Sequence, residues 1–342
     1  MKKSLSLPYV LLALSFLPSL TARDRLPVPE VTPAPPVETL AARPAPAPAP
    51  EPDEPEDEET ALPDAPVSQT IRLLWEGEVL ELQMEDYLPG VLAAEVPADF
   101  EPEALKAQAV AARTYALYCA ACRKHGEADV CADYRCCQAW LSEDALRERW
   151  GEDFDARLSR LRQAVDETAG ESLRYEGEPI FAAFHASSPG CTEDSGQVWQ
   201  ALPYLVSVSS PETADTVPDL VSVREVSALD LRDTVLSAHP EADFTGEPET
   251  WAEEPVLDAG GRVERLRLGG VDLSGVELRR LFGLRSAAFT LTYADGLFRF
   301  TVSGSGHGVG MSQHGAQLLA LQGLSYREIL AHYYPGTVLA AG

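Results

Sequence analysis

The stretch PEALKAQAVAARTYALYCAAC, residues 102–122, decides the fold. Pro102 suits a first helical turn, where its missing N–H is no loss and its backbone angle is preset. Leu105, Ala109, Ala112, Ala116 and Cys119 then recur at steps of 4, 3, 4 and 3 residues, which lines them up on one face of a helix. That face is mostly alanine, so another element can approach it closely. Upstream, Glu85 to Glu95 predicts a shorter helix. Pro89 weakens it unless it lies in the first turn, and Pro97 bars its continuation. Thr70 to Gln83 predicts a β-hairpin with Glu76 and Gly77 as the turn. Downstream, Leu141 to Thr168 predicts further helix, and Ser172 to His185 a second hairpin around Glu176 and Gly177. Asp215 to Glu249 has no clear pattern. Val263 to Leu268 and Phe289 to Val302 read as strands around a short helical stretch, Glu277 to Phe282. A glycine-rich loop, Gly304 to Gly310, precedes a helix from about Ser312 to Gln322. Strands and helices mix without a βαβ rhythm, which predicts an α+β fold of helices and antiparallel strands in one unit.

That unit spans residues 67–342, and what precedes it is different material. Residues 1–22 read as a signal peptide or an uncleaved N-terminal membrane anchor: Lys2 and Lys3, then an uncharged apolar run from Leu5 to Leu20. Either reading puts the rest outside the cytoplasm, secreted or membrane-anchored. Residues 23–66 are rich in Pro, Ala and acidic groups and predict a disordered linker, which has too little to bury to offset its ordering entropy. The whole chain of 342 residues carries 54 acidic and 27 basic groups, a formal charge of −27. Nucleic-acid binding needs a cationic footprint, so that class is excluded. Six cysteines are too few for a disulfide scaffold.

Four segments can carry chemistry. In Gly90 to Pro97, Glu95 has only apolar neighbours in sequence and sits where a helix must end. Packed against apolar surface, such a carboxyl keeps its proton and can serve as a general acid; on pattern alone, a glutamate there is more often solvated surface. Cys119, Cys122, His125, Cys131, Cys136 and Cys137 crowd together, and spacing leaves tetrahedral zinc and disulfides both open. Phe184 to Ser195 places His185 before a small polar loop holding Ser187, Ser188, Cys191, Thr192 and Ser195, which has the look of a site rim. Gly304 to Ala316 holds His307, Gly308, Ser312, Gln313 and His314. Its glycines let backbone N–H groups approach a ligand, but it lacks the lysine of a phosphate loop.

Taken together, Gly90–Pro97, Glu103–Leu117, Phe184–Trp199, Gly306–Ala316 and His332–Gly336 resemble the stage II sporulation protein D family, whose peptidoglycan-cleaving members are lytic transglycosylases. The resemblance runs from about Ile71 to Leu339. It implies that Glu95 is the catalytic acid, cleaving the bond between N-acetylmuramic acid and N-acetylglucosamine to leave a 1,6-anhydromuramic end. It also implies peptide-stripped glycan strands as substrate, and His185, Ser187, Ser188, Thr192, Ser195, His307, Gly308, Ser312 and Gln313 as the lining of a sugar groove. Zinc-binding members carry a histidine six residues before a cysteine and a His-Cys pair five and six after it. His125, Cys131, Cys136 and Cys137 occupy those offsets, with Cys136 replacing a histidine, so the resemblance implies a structural Cys3His zinc site. Pro189 and Cys191 depart from the family's loop. Some relatives are non-catalytic wall-binding proteins that enhance a cell-wall amidase, which makes that the alternative activity and an amidase, with other sporulation wall enzymes, an expected partner. A third reading, a zinc hydrolase built on the cysteine cluster, predicts that chelation stops chemistry without unfolding the domain.

Overall fold

The computed structural model describes residues 69–341. The expected leader, residues 1–22, and the whole of the expected linker, residues 23–66, lie outside the described residues. Among the described residues, no helix is long and apolar enough to cross a membrane.

The chain opens with the hairpin expected, β1 (Thr70–Trp75) and β2 (Glu78–Gln83), paired antiparallel. Glu76 and Gly77 both have positive φ, 50° and 88°, the backbone that matches the twist of two tightly joined strands. Helix α1 (Met84–Glu95) follows directly, then α2 (Pro102–Cys122). Pro89 lies beyond the first turn of α1, yet the helix continues, because both helices are deeply packed. In α2 the buried set exceeds the expected single face: Ala104, Ala107, Val110 and Ala111 are buried along with Leu105, Ala109, Ala112 and Ala116. Small side chains let α1, three strands and three further helices close around it. Arg113, 1% exposed, sits in the middle and donates to Glu85 Oε2 (2.6 Å) and to the carbonyls of Glu171 and Val165, tying α2 to α1 and to the chain beyond.

After β3 (Val130–Cys131), which adds to β1 in parallel, the expected long helix is two. Helix α3 (Glu143–Trp150) ends where Gly151 turns to φ 53°, and a single 3-10 turn leads into α4 (Phe154–Asp166). The second hairpin is also shorter than expected. β4 (Glu171–Tyr175) and β5 (Glu178–Pro179) pair around Glu176 and Gly177, but Pro179 has no N–H with which to extend the ladder. The chain leaves, and β6 (Phe184–His185) pairs in parallel with a distant strand instead. A short helix, α5 (Ser195–Val198), closes this part.

A separate core then forms. β7 (Val221–Ser227), α6 (Ala228–Ala238), β8 (Val256–Leu257), β9 (Val263–Leu268), β10 (Val271–Leu273), α7 (Gly275–Phe282), β11 (Phe289–Ala294) and β12 (Leu297–Ser303) enclose Leu231, Leu266, Leu278, Phe298 and Phe300. β12 lies between β11 and β7, so the strand that enters this lobe pairs with the one that leaves it. Gly304 N–H then donates to Leu220 O at 2.7 Å, closing the base. The chain rejoins the first core through β13 (Met311–Ser312), paired with β6, followed by α8 (Gln313–Leu321), α9 (Tyr326–Tyr333) and β14 (Val338–Ala341) beside β4. The result is a mixed fold of helices and small, mostly antiparallel sheets, as expected.

Candidate functional site

Glu95 is the last residue of α1, where Val96 turns extended ahead of Pro97. Its carboxyl is half-buried, and burial raises its pKa. Two neighbours oppose that shift: Ala139 N–H donates to Oε1 at 2.9 Å, and Gln313 Nε2 approaches Oε2 at 3.5 Å. Both neighbours are N–H donors; Ala139 makes the shorter bond, to Oε1, which leaves Oε2 the less firmly held oxygen and the better placed to carry the acid's proton. The group is a desolvated acid with one oxygen held and the other beside the start of α8.

The parallel pairing of β6 and β13 sets His185 beside Ser312 and brings the two glycine- and serine-rich loops together. His185 is buried; its Nδ1 lies 3.1 Å from Val309 O and its Nε2 2.5 Å from Ser188 Oγ. A carbonyl only accepts, so Nδ1 bears the proton and Nε2 accepts from the serine. Burial, with His307 and Arg262 nearby, holds its pKa well below the usual value, so the ring is neutral. His307 Nδ1 accepts from Val309 N–H (3.1 Å), and burial pushes its pKa down to about 4. The His307 ring packs 4.8 Å from that of Trp199, which is 50% exposed.

Several of the expected lining residues hold the loops themselves. Ser187 exchanges backbone hydrogen bonds with Ser305. Thr192 Oγ1 accepts from Val208 N–H, Ser195 Oγ from Leu202 N–H, and the Gly308 carbonyl from Glu193 N–H. Ser312 caps α8 and donates to Glu212, whose other bond is from Ser188 N–H. Glu212 is 4% exposed and was not singled out from the sequence; nor were Ala139, Arg262 and Arg279. Arg262 is buried against Glu193, Ser188 and the Cys191 carbonyl. These residues come from distant segments, and no local pattern marks them. The Cys191 thiol donates to Gly260 O at 3.4 Å.

The expected metal ligands do converge. The ligand atoms of His125, Cys131, Cys136 and Cys137 all lie within 4.8 Å of one another, and His125 Nε2 is 3.1 Å from Cys137 Sγ. Zinc–sulfur and zinc–nitrogen bonds of about 2.3 and 2.0 Å put tetrahedral ligands roughly 3.5–3.8 Å apart, so this donor set fits zinc after a small contraction. Cys119 reaches Cys137 from α2, and Cys122 is exposed. Among the described residues no disulfide forms, and His307 and His314 belong to no metal-holding group. Two residues past the cluster, Ala139 delivers its N–H to Glu95, while Gln138 is fixed by Tyr87 OH (2.9 Å) and Ala112 O (3.3 Å).

Comparison with known proteins bears on the family of the chain. The family model described as Stage II sporulation protein matches residues 76–175, which include Glu95, Arg113 and the metal-type cluster. Stage II sporulation protein D of Bacillus amyloliquefaciens is 35% identical over 282 residues, covering 81% of this chain and 80% of that protein. Its counterpart in Bacillus subtilis (strain 168) is 33% identical over 280 residues, with the same coverage of 81% and 80%. The Amidase enhancer of Bacillus subtilis (strain 168) is 29% identical over 304 residues, covering 74% of this chain and 40% of that protein. Identity above 30% across four-fifths of both sequences, together with the family match, shows that the chain belongs to the stage II sporulation protein D family.

Proposed function

We propose that the chain is a lytic transglycosylase of peptidoglycan, acting outside the cytoplasm from a tethered or secreted domain spanning residues 67–342. The observation that carries this reading is the Glu95 carboxyl, desolvated and held through one oxygen. Hydrolytic glycosidases need two carboxyl groups, one for the leaving group and one for water or the sugar. Here a single carboxyl serves, because the muramic C6 hydroxyl is the nucleophile. Glu95 gives its proton to the glycosidic oxygen, so the N-acetylglucosamine leaves as an alcohol. The resulting carboxylate takes the proton of the C6 hydroxyl as its oxygen bonds to C1. One bond breaks, one forms, the proton count is unchanged and no water is consumed. Ala139 N–H stabilises the carboxylate between the two steps.

The glycan would lie in a groove beside Gln313, His307 and the exposed Trp199 ring, an apolar platform with polar groups around it. His185, Ser187, Ser188, Thr192, Ser195, Gly308 and Ser312 would shape that groove through the loops they brace. Zinc on His125, Cys131, Cys136 and Cys137 would be structural: four protein ligands leave no open position, and a crosslink there fixes the segment that presents Ala139. The likeness to the Amidase enhancer supports a second reading, a non-catalytic wall-binding protein that acts with a cell-wall amidase.

Incubation of the purified chain with peptide-free glycan strands, followed by mass analysis, separates the two. Anhydro ends weigh one water less than reducing ends. Glu95→Gln should lower their formation by about 10²-fold or more, the usual scale for removing a general acid. Unchanged product formation in that variant removes the mechanism; no cleavage by the parent chain favours the enhancer.

A further inference from the structure

Gln313 opens α8, and its Nε2 reaches Glu95 Oε2 at 3.5 Å. That length is the outer limit of a hydrogen bond, so a small shift at the start of α8 breaks it. The first turn of a helix is where backbone donors lack partners and fraying begins. Ser312 caps this turn, its Oγ accepting from Gly315 N–H at 3.3 Å, and His314 N–H donates to Ala186 O at 3.0 Å. The Ser312 hydroxyl has one proton, and it goes to Glu212 Oε1. The same oxygen accepts Ser188 N–H at 2.9 Å. One carboxyl oxygen thus clamps the loop after β6 to the residue that precedes Gln313.

The segment carrying Glu212 is anchored in turn. Ser210 Oγ lies 2.8 Å from the Tyr333 hydroxyl of α9, His332 Nε2 lies 2.7 Å from Ser209 O, and Ser210 N–H donates to Gly190 O at 2.9 Å. Gly315 leaves room for this approach: a Cβ there would collide with the Tyr333 hydroxyl and lie 3.0 Å from Glu212 Oε2. Oε2 is buried without a hydrogen-bond partner. A buried carboxyl with one idle oxygen is costly to keep for packing alone, so its use lies in what Oε1 holds. We propose that Glu212 is a positioning residue for the Glu95 acid: through Ser312 it fixes the start of α8, and with it the place of Gln313 beside Oε2. Its part in the reaction rests on the proposed reading of Glu95; its hold on Gln313 does not.

The effect has a defined sign. The Gln313 donor favours the carboxylate and works against burial, so its loss raises the Glu95 pKa. Loss of the Glu212 charge alone would act the other way, because removing a negative neighbour makes an acid ionise more readily. The other titratable and charged groups around the end of α1 are Tyr87 within it, Arg149 of α3, 3.3 Å from Ala93 O, and His314, packed on Phe100; they stay unchanged in every variant below.

The test is direct titration of the Glu95 carboxyl by NMR of the full chain carrying isotope-labelled glutamate, with Glu95→Gln assigning the signal. Gln313→Ala should raise the Glu95 pKa, and so should Ser312→Ala and Glu212→Ala. Combining Glu212→Ala with Gln313→Ala should raise it no further than Gln313→Ala alone. Glu212→Gln keeps a carbonyl oxygen for both donors and should bring the titration back toward the parent's. In glycan cleavage Ser312→Ala and Glu212→Ala should lower kcat roughly 10- to 100-fold with little change in KM, the scale of a small misplacement beside the reacting group. Both should also carry the alkaline limb to higher pH. Glu212→Ala leaves two donors unmet and can fail to fold; Ser312→Ala keeps the bond from Ser188 to Glu212 and decides the matter by itself. A Glu95 pKa that stays in place or falls in these variants overturns the proposal, as does additivity in the double variant, since Glu212 then only braces the fold. Absence of anhydro ends from the parent sinks the reading of Glu95, and the titration still decides the positioning claim. Anhydro ends without coupling in the titration sink the positioning claim and leave the reaction.

Discussion

Glu95 becomes unusual only when parts of the chain far apart in sequence close around it. Its two hydrogen-bond donors lie 44 and 218 residues away, at Ala139 and Gln313. Nothing in Gly90–Pro97 alone distinguishes it from a solvated helix-end glutamate, so family likeness rather than pattern picked it out. The same holds for Glu212 and Arg262, buried charges whose partners come from distant loops. The cysteine cluster was more legible, because its residues are close in sequence, although spacing leaves zinc and disulfides both open and it is the family likeness that implies His125, Cys131, Cys136 and Cys137 as ligands. A raised pKa at Glu95 has two consequences of defined sign. The protonated form is the acid, so cleavage should fall as pH rises through the Glu95 pKa, giving the alkaline limb of the rate profile. Its contribution to stability is fully present below the pKa of an ordinary glutamate and is lost as pH rises from there through the raised folded-state pKa, because only the folded state resists ionisation. Glu95→Gln should therefore be as stable as the parent at low pH and more stable at neutral and alkaline pH, as urea titrations across pH will show. A variant that loses activity while gaining stability has lost chemistry and not structure.

Elements were legible where their chemistry is local. Two-residue turns at Glu76–Gly77 and Glu176–Gly177 sit where their residues adopt positive φ. Pro102 starts α2 as its ring dictates. Errors arose where a distant partner or a single glycine intervened: the break at Gly151, and the departure after Pro179 toward β13. Gly90 shows a further constraint that sequence hides. A Cβ there would collide with the Trp140 indole and lie 2.6 Å from Leu141 O, because the segment after the cysteine cluster lies directly on α1. Gly90→Ala should cost about 1–3 kcal/mol of stability by denaturant titration, despite alanine's better helix propensity. The cluster makes its own prediction. Chelation should lower the thermal midpoint by roughly 5–10 °C, and His125→Ala should match it, since ligand binding and folding are coupled in such sites. Activity that vanishes with no change in the midpoint would instead support a zinc hydrolase.

At the scale of the whole molecule, the division into two cores was not legible. Both lobes use the same residue types, and a lobe boundary depends on which strands pair across 70 to 82 residues of chain, as β7 and β12 do from Ser227–Leu297 to Val221–Ser303. Net charge, by contrast, is read directly, and it has a kinetic effect. A chain of −27 repels a glycan bearing a carboxylate on each muramic residue. Raising ionic strength from about 0.01 to 0.15 M shortens the screening length from about 30 to 8 Å. KM for stripped glycan should therefore fall over that range, whereas an uncharged chitin oligosaccharide should show no change. A KM that rises instead would mean that local pairing outweighs the overall field. The lobe's closed base bears on chain length. Leu220 and Gly304 are joined by one hydrogen bond, so whatever is threaded between them enters and exits at a single point. A change of length within that segment would leave the helices beneath it in register as long as Gly260 and Arg262 keep their hold on Cys191.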